Sequence, residues 1–251
     1  MVHQSPHIAL LPRSVVSNRW VVGSEDDGPF LAQIAPLFIK VSTLYLVTGR
    51  LPDHSSQNFR RIAEGFPSLR HLSLDFCTTE LHILSTLFHL HPTLRILSFY
   101  QGKISSMQQH RELLPLRRLQ HLQVTSTTNI FSLIPLLVQD ETPLARIERL
   151  ELISFTRRDN VAACTLLYGL RHVLQVLKIG LSWFLEGHIQ KLEGVVHFSP
   201  YITKLIVDWI LAFMKCLPLE QLTALRELVT SGAIFRSRDF RWVAQPLEES
   251  Q

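Results

Sequence analysis

A chain of 251 residues that is 46% apolar and 9% aromatic is long enough to bury a sizeable core, and its composition is not that of a disordered segment. Twenty-five basic residues against 21 acidic leave a formal charge of +4, and no basic run forms a nucleic-acid-binding arm. Cys77, Cys164 and Cys216 stand far apart without CxxC spacing, which argues against a disulfide-stapled secreted fold and for a reducing compartment, cytoplasmic or nuclear.

The first residues, MVHQSPHIALLPRSVV, have no basic n-region and only a four-residue apolar run, so they are not read as a signal peptide. Val15, Val16, Trp20, Val21 and Val22 predict a capping strand within a partly irregular flank at 1–35. The most apolar later stretch, 201–217, carries Lys204, Asp208 and Lys215 and is a poor membrane span. A soluble intracellular protein without a membrane partner is therefore expected.

From residue 41 the chain repeats itself. The pattern apolar-x-x-apolar-x-apolar starts at Val41, Leu69, Leu94, Leu119, Ile147, Leu174, Ile202 and Leu225, about every 26 residues, a spacing that pairs a strand with a helix in each unit. The second copy, Leu69-x-x-Leu72-x-Leu74-x-x-Cys77, is the core phrase of a leucine-rich repeat. Between the phrases, apolar residues recur at helical spacing: Phe59, Ile62, Ala63 and Phe66; Leu81, Leu84 and Phe88; Ile130, Ile134, Leu137 and Val138; Leu185, Ile189, Leu192 and Val196. Pro67, Pro92 and Pro200 end the helices and push the chain toward an extended path. The predicted fold is an α/β leucine-rich-repeat solenoid, a curved horseshoe with a parallel sheet on the concave side and helices on the convex side. About eight repeats occupy 36–235, and a cap and frayed tail follow at 236–251. A single unit cannot offset its own ordering entropy, so the units must stack.

In each copy, positions 1, 4 and 6 point into the core, and positions 3, 5 and 7 point to the concave face, because side chains alternate with period two. This places Tyr45, His71, Asp75, Tyr100, His121, Gln123, Arg149, Glu151, Lys178, Lys204, Asp208 and Glu227 on one surface, with Phe76 and Trp209 one step further at the strand exits. Three cations and four anions leave that face without the Lys/Arg cluster that phosphate binding needs; the small basic excess lies elsewhere, in edge and helix positions such as Arg60, Arg61, Arg70, Arg95, Arg117 and Arg118, and a nucleic-acid partner is not expected. Aromatic, histidine and mixed charged side chains suit a protein ligand instead. Cys77 stands where such repeats place a turn-forming Asn or Cys and is read as structural rather than nucleophilic. His89-x-His91 before Pro92 is read as a solvated helix end, not a metal site. With no phosphate loop, GxSxG, HExxH or zinc quartet, a non-catalytic protein without cofactor or metal is expected.

The phrasing FLAQIAPLF at 30–38, then VSTLYL, FPSLRHLSLDFC and HPTLRILSF, resembles the repeat region of fungal F-box/leucine-rich-repeat proteins over roughly 30–235. The resemblance implies repeats that hold the substrate of a cullin–RING ubiquitin ligase, while an N-terminal F-box docks a Skp-type adaptor. Here Leu11-Pro-Arg-Ser-Val is followed by Asn18, Gly23 and acidic residues, without helical periodicity, and no F-box is read. The expectation is a substrate-binding arm lacking its F-box, with a Skp-type adaptor as partner only if an F-box lies upstream. The alternative is a standalone scaffold or inhibitor.

Overall fold

The computed structural model describes residues 13–17, 39–50, 64–100, 103–105, 116–125, 130–139, 142–143, 145–153, 160–180, 201–207, 223–230 and 233–236. Eight strands come from the eight sequence phrases: β2 (Thr43–Arg50), β3 (His71–Glu80), β4 (Ile96–Tyr100), β6 (His121–Thr125), β9 (Arg149–Ile153), β10 (Val176–Gly180), β11 (Lys204–Val207) and β12 (Glu227–Thr230). β1 (Ser14–Ser17) precedes them and pairs with β2 in parallel. The sheet therefore begins inside the predicted flank. Neighbours in the sheet run β1-β2-β3-β4-β6-β9-β10-β11-β12, all parallel. β5 (Lys103–Ser105) pairs with the far end of β3, and β13 (Ala233–Arg236) returns antiparallel on β12.

The alternation in the sequence explains the sheet. Positions 4 and 6, such as Leu44 and Leu46, Leu72 and Leu74, and Leu97 and Phe99, are buried in every copy except at Thr230 in the last. So is position 1, but it sits in a turn, and the strands start two residues later than the phrases. In those turns Leu69 N–H donates to Phe66 O, Leu94 N–H to His91 O and Leu119 N–H to Leu116 O. One carbonyl per unit then accepts two amides of the next. Arg70 and His71 donate to Ser42 O, Arg95 and Ile96 to Arg70 O, and Gln120 and His121 to Arg95 O. Each unit satisfies its backbone through its neighbour, which is why stacking stabilises it.

Among the described residues three helices pack on the apolar face: α1 (Leu81–Leu90), α2 (Ile130–Leu137) and α3 (Asn160–Leu170). Leu81, Leu84 and Phe88 are buried as their spacing predicts. Val138 departs from its predicted place. It leaves the helix and opens β7 (Val138–Gln139), which forms a two-strand hairpin with β8 (Thr142–Pro143). β-branched Val138 suits an extended backbone, and α3 lies directly against it. A Cβ on Gly169 would stand 2.4 and 2.6 Å from the two Val138 methyls, so glycine is what permits that approach. The stripes at 59–63 and 185–196 and the tail at 237–251 lie outside the described residues.

His91 corrects an expectation. His89 is exposed, but His91 is 2% exposed at the C-terminal cap of α1. Its backbone accepts and donates, yet its Nε2 has no hydrogen-bond partner. Burial holds its pKa down at about 4.

The turns leading into the strands share one edge of the sheet, the leading edge. Lys40, Arg70 and Arg95 stand just before β2, β3 and β4, and Arg117 and Arg118 before β6. Arg146, Arg171 and Arg226 do the same for β9, β10 and β12, while Arg13 precedes β1.

Candidate functional site: the open face of the sheet

The face opposite the helices presents positions 3, 5 and 7, and the strand register joins them into rows. The first row runs Thr43, His71, Ile96, His121, Arg149, Val176, Lys204, Glu227. The second runs Tyr45, Ser73, Ser98, Gln123, Glu151, Lys178, Ile206, Val229. Val47, Asp75 and Tyr100 open the third. Parallel strands lie about 4.8 Å apart, so row neighbours touch and diagonal neighbours are within reach of long side chains.

Ser73 and Ser98, at position 5 of consecutive units, fall on the expected face in register, but their depth within it was not expected. They form a floor, 2% and 1% exposed, beneath larger neighbours. His71 Nε2 lies 3.0 Å from Ser98 Oγ, and Ser98 donates at 3.3 Å to Gln123 Oε1. With its own proton committed, Ser98 accepts from His71, so Nε2 carries the hydrogen. Tyr45 meets the His71 ring edge-on, with centroids 5.6 Å apart, a favourable geometry for two rings. Burial, and then the charge of His121, lower the pKa of His71. Burial, and then the charges of Glu151, Tyr45 and Asp75, raise that of Tyr100.

A second cluster adjoins it. Glu151 Oε1 accepts from His121 Nε2 at 3.0 Å, from Arg149 Nε at 2.8 Å and lies 2.6 Å from Arg149 Nη2. The carboxylate is held down at about 2, first by the His121 hydrogen bond and, against the cost of burial, by Arg149. Glu151 was expected as a partner contact. At 5% exposed it instead orients His121 and Arg149, which are more exposed. Further along, Lys204 pairs with Glu227 at 3.0 Å, and Lys178 lies beside Glu151 in register. Asp208 and Trp209 lie outside the described residues.

At the strand exit Phe76 has φ 51° and is 53% exposed. Pairing of β2 with β3 passes from Val47↔Asp75 to Gly49↔Cys77 without a change of register, so it is the left-handed backbone of Phe76 itself that turns its ring outward. Cys77 then returns to the core, with Sγ 3.2 Å from Leu46 O and 3.3 Å from Asp75 O. Burial raises its pKa to about 11, so the thiol spans two units as a weak donor and is a poor nucleophile.

Ser98 beside His71 is not a nucleophilic pair, because its hydroxyl is sealed under the ring and its proton is committed. Among the described residues no group of three or more His, Cys, Asp or Glu side chains could hold a metal, and no helix is long and apolar enough to cross a membrane. Compared with known proteins, the chain matches no family model and no curated protein.

Proposed function

We propose that this chain is a leucine-rich-repeat recognition module that binds a protein ligand on the open face of its sheet. The observation that carries this reading is the register. It gathers Tyr45, His71, Asp75, Tyr100, Gln123, His121 and Arg149 from distant units onto one surface. Hydrogen bonds across β3, β4, β6 and β9 already hold most of these side chains, so little rotamer entropy remains to be lost on binding. Tyr and Arg at the centre are the residue types that dominate interface energies, and Phe76 stands at the rim.

By its phrasing the module is the substrate-binding arm of an F-box type ubiquitin-ligase subunit lacking its F-box. Ser14–Ser17 are extended where helix would be needed after Leu11-Pro, which supports that part of the reading. It equally supports a standalone scaffold or inhibitor with no ligase link. The test is affinity capture from the source cells with the wild-type chain and a Tyr45→Ala/Tyr100→Ala variant of unchanged circular dichroism. A partner held by the first and lost by the second is expected; partners retained equally by both would remove the open face from consideration. Stable capture of a Skp-type adaptor by this chain alone would mean that it contains an F-box after all.

A further inference from the structure

The charge of this molecule is segregated in a way that composition hides. The turns along the leading edge hold nine of the chain's 25 basic residues but only two of its 21 acidic ones, Glu64 and Glu148. The remainder of the chain is therefore more acidic than basic. Every lead-in turn of the nine parallel strands except that of β11 carries a Lys or Arg. None of these nine cations makes an ion pair with a described residue; Arg95 and Arg171 use Nη1 only to tie down carbonyls of their own turns. The row extends over eight strand spacings, about 38 Å, and is one turn thick. Such a line of charge, without an ion pair among the described residues, projects a field toward an elongated polyanion.

The occupant is narrowed by what stands where the cation is missing. At the β10–β11 end, Arg171 stacks 3.9 Å over the Tyr168 ring, and His172 meets Tyr201 edge-on with centroids 6.4 Å apart. Tyr168 and Tyr201 are 39% and 54% exposed. Guanidinium groups match phosphate oxygens in a bidentate manner, and exposed aromatic rings accept unstacked bases. An acidic peptide would use the cations and leave the rings idle. We propose that the leading edge binds single-stranded nucleic acid, with Arg70, Arg95, Arg117 and Arg118 along the phosphates and Tyr168 and Tyr201 as stacking surfaces. The site is separate from the open face and does not depend on its reading.

The experiment is fluorescence anisotropy of the full chain with labelled oligo(U) and oligo(dT) of about 20 nucleotides, titrated from about 50 to about 200 mM salt, beside a labelled poly-glutamate of equal charge. Expected are tighter binding of the oligonucleotides than of poly-glutamate and a steep loss with salt. The Arg70→Gln/Arg95→Gln/Arg118→Gln variant should lose about tenfold or more in affinity and flatten the log–log salt slope by about 2. Tyr168→Ala/Tyr201→Ala should weaken binding by a similar factor while leaving the slope in place. No oligonucleotide binding at the lowest salt, or poly-glutamate binding as tightly, would overturn the proposal with the wild-type chain alone. An undiminished affinity in a folded triple variant would overturn it too; the charge-preserving Arg→Lys triple, expected to keep the salt slope, serves if the Gln variant does not fold.

Discussion

Glu151 accepts from His121 across 30 residues of sequence, Nε2 to Oε1, 3.0 Å apart on adjacent strands. A carboxylate only accepts, so Nε2 carries the proton, and the contact fixes the imidazole tautomer. Folding lowers the Glu151 pKa from 4.5 to about 2. Its contribution is present above the unfolded value and is lost as pH falls from about 4.5 through about 2, an amount of roughly 3 kcal/mol. Glu151→Gln should reduce stability at neutral pH by up to about that amount and flatten the acid limb in that window, as read from urea midpoints against pH.

His91 predicts a separate step at milder acidity. The folded protein keeps it neutral down to about 4, whereas the unfolded chain takes up its proton near 6.5. Stability therefore falls as pH drops across that interval, by roughly 3 kcal/mol. His91→Leu should remove this limb and leave the Glu151 limb untouched. An unchanged slope between these pH values in the variant would show that His91 is protonated in the fold.

Phe76 bears a left-handed backbone that costs a non-glycine residue about 1–2 kcal/mol. Phe76→Gly should be at least as stable as wild type, because it gives up little burial and relieves that strain. Phe76→Val, β-branched at φ 51°, should lose about 1–2 kcal/mol. If partner binding falls in both, the exposed ring is the cause and the fold is not.

Gly169→Ala normally favours a helix by about 1 kcal/mol. Here the added methyl collides with Val138, and overpacking of this kind costs about 1–3 kcal/mol. A net loss is expected, with rescue in Gly169→Ala/Val138→Ala; additivity of the two single losses in a double-mutant cycle would deny the contact.

Leu72, 1% exposed in β3, stands for the whole core row. Leu72→Ala should cost about 2–5 kcal/mol in chemical denaturation. A loss below about 0.5 kcal/mol would remove it from the core.

The strand ladder was legible because its signal is apolar, periodic and repeated: Leu72 and Leu74 announce both burial and direction. The same alternation placed His71, Asp75 and Tyr100 on one face correctly. What alternation cannot convey is how deeply a polar residue sinks among its neighbours. Glu151 and Ser98 are buried by side chains from other units, and only the register shows which. Phe76 sits where period two fails, since one left-handed residue turns the strand without adding to it, and no apolar pattern encodes that. Val138 ended a helical stripe of correct spacing, but its fate was decided by the hairpin with Pro143, a pairing with no sequence period. His91 looked solvated because it stands at a helix end before Pro92, and the structure exposes His89 and Pro92 on either side while burying it.

The reversal of β13 bears on how this architecture can change in length. A parallel array grows by duplication because each new unit offers its first amides to the carbonyl left by the one before. β13 presents its backbone with the opposite polarity, so a further copy placed beyond it would find no such acceptor in phase. Added units therefore enter on the β12 side of that reversal and not beyond β13. For the same reason β1 of a second molecule cannot extend the ladder at that end, and end-to-end polymerisation through these strands is discouraged.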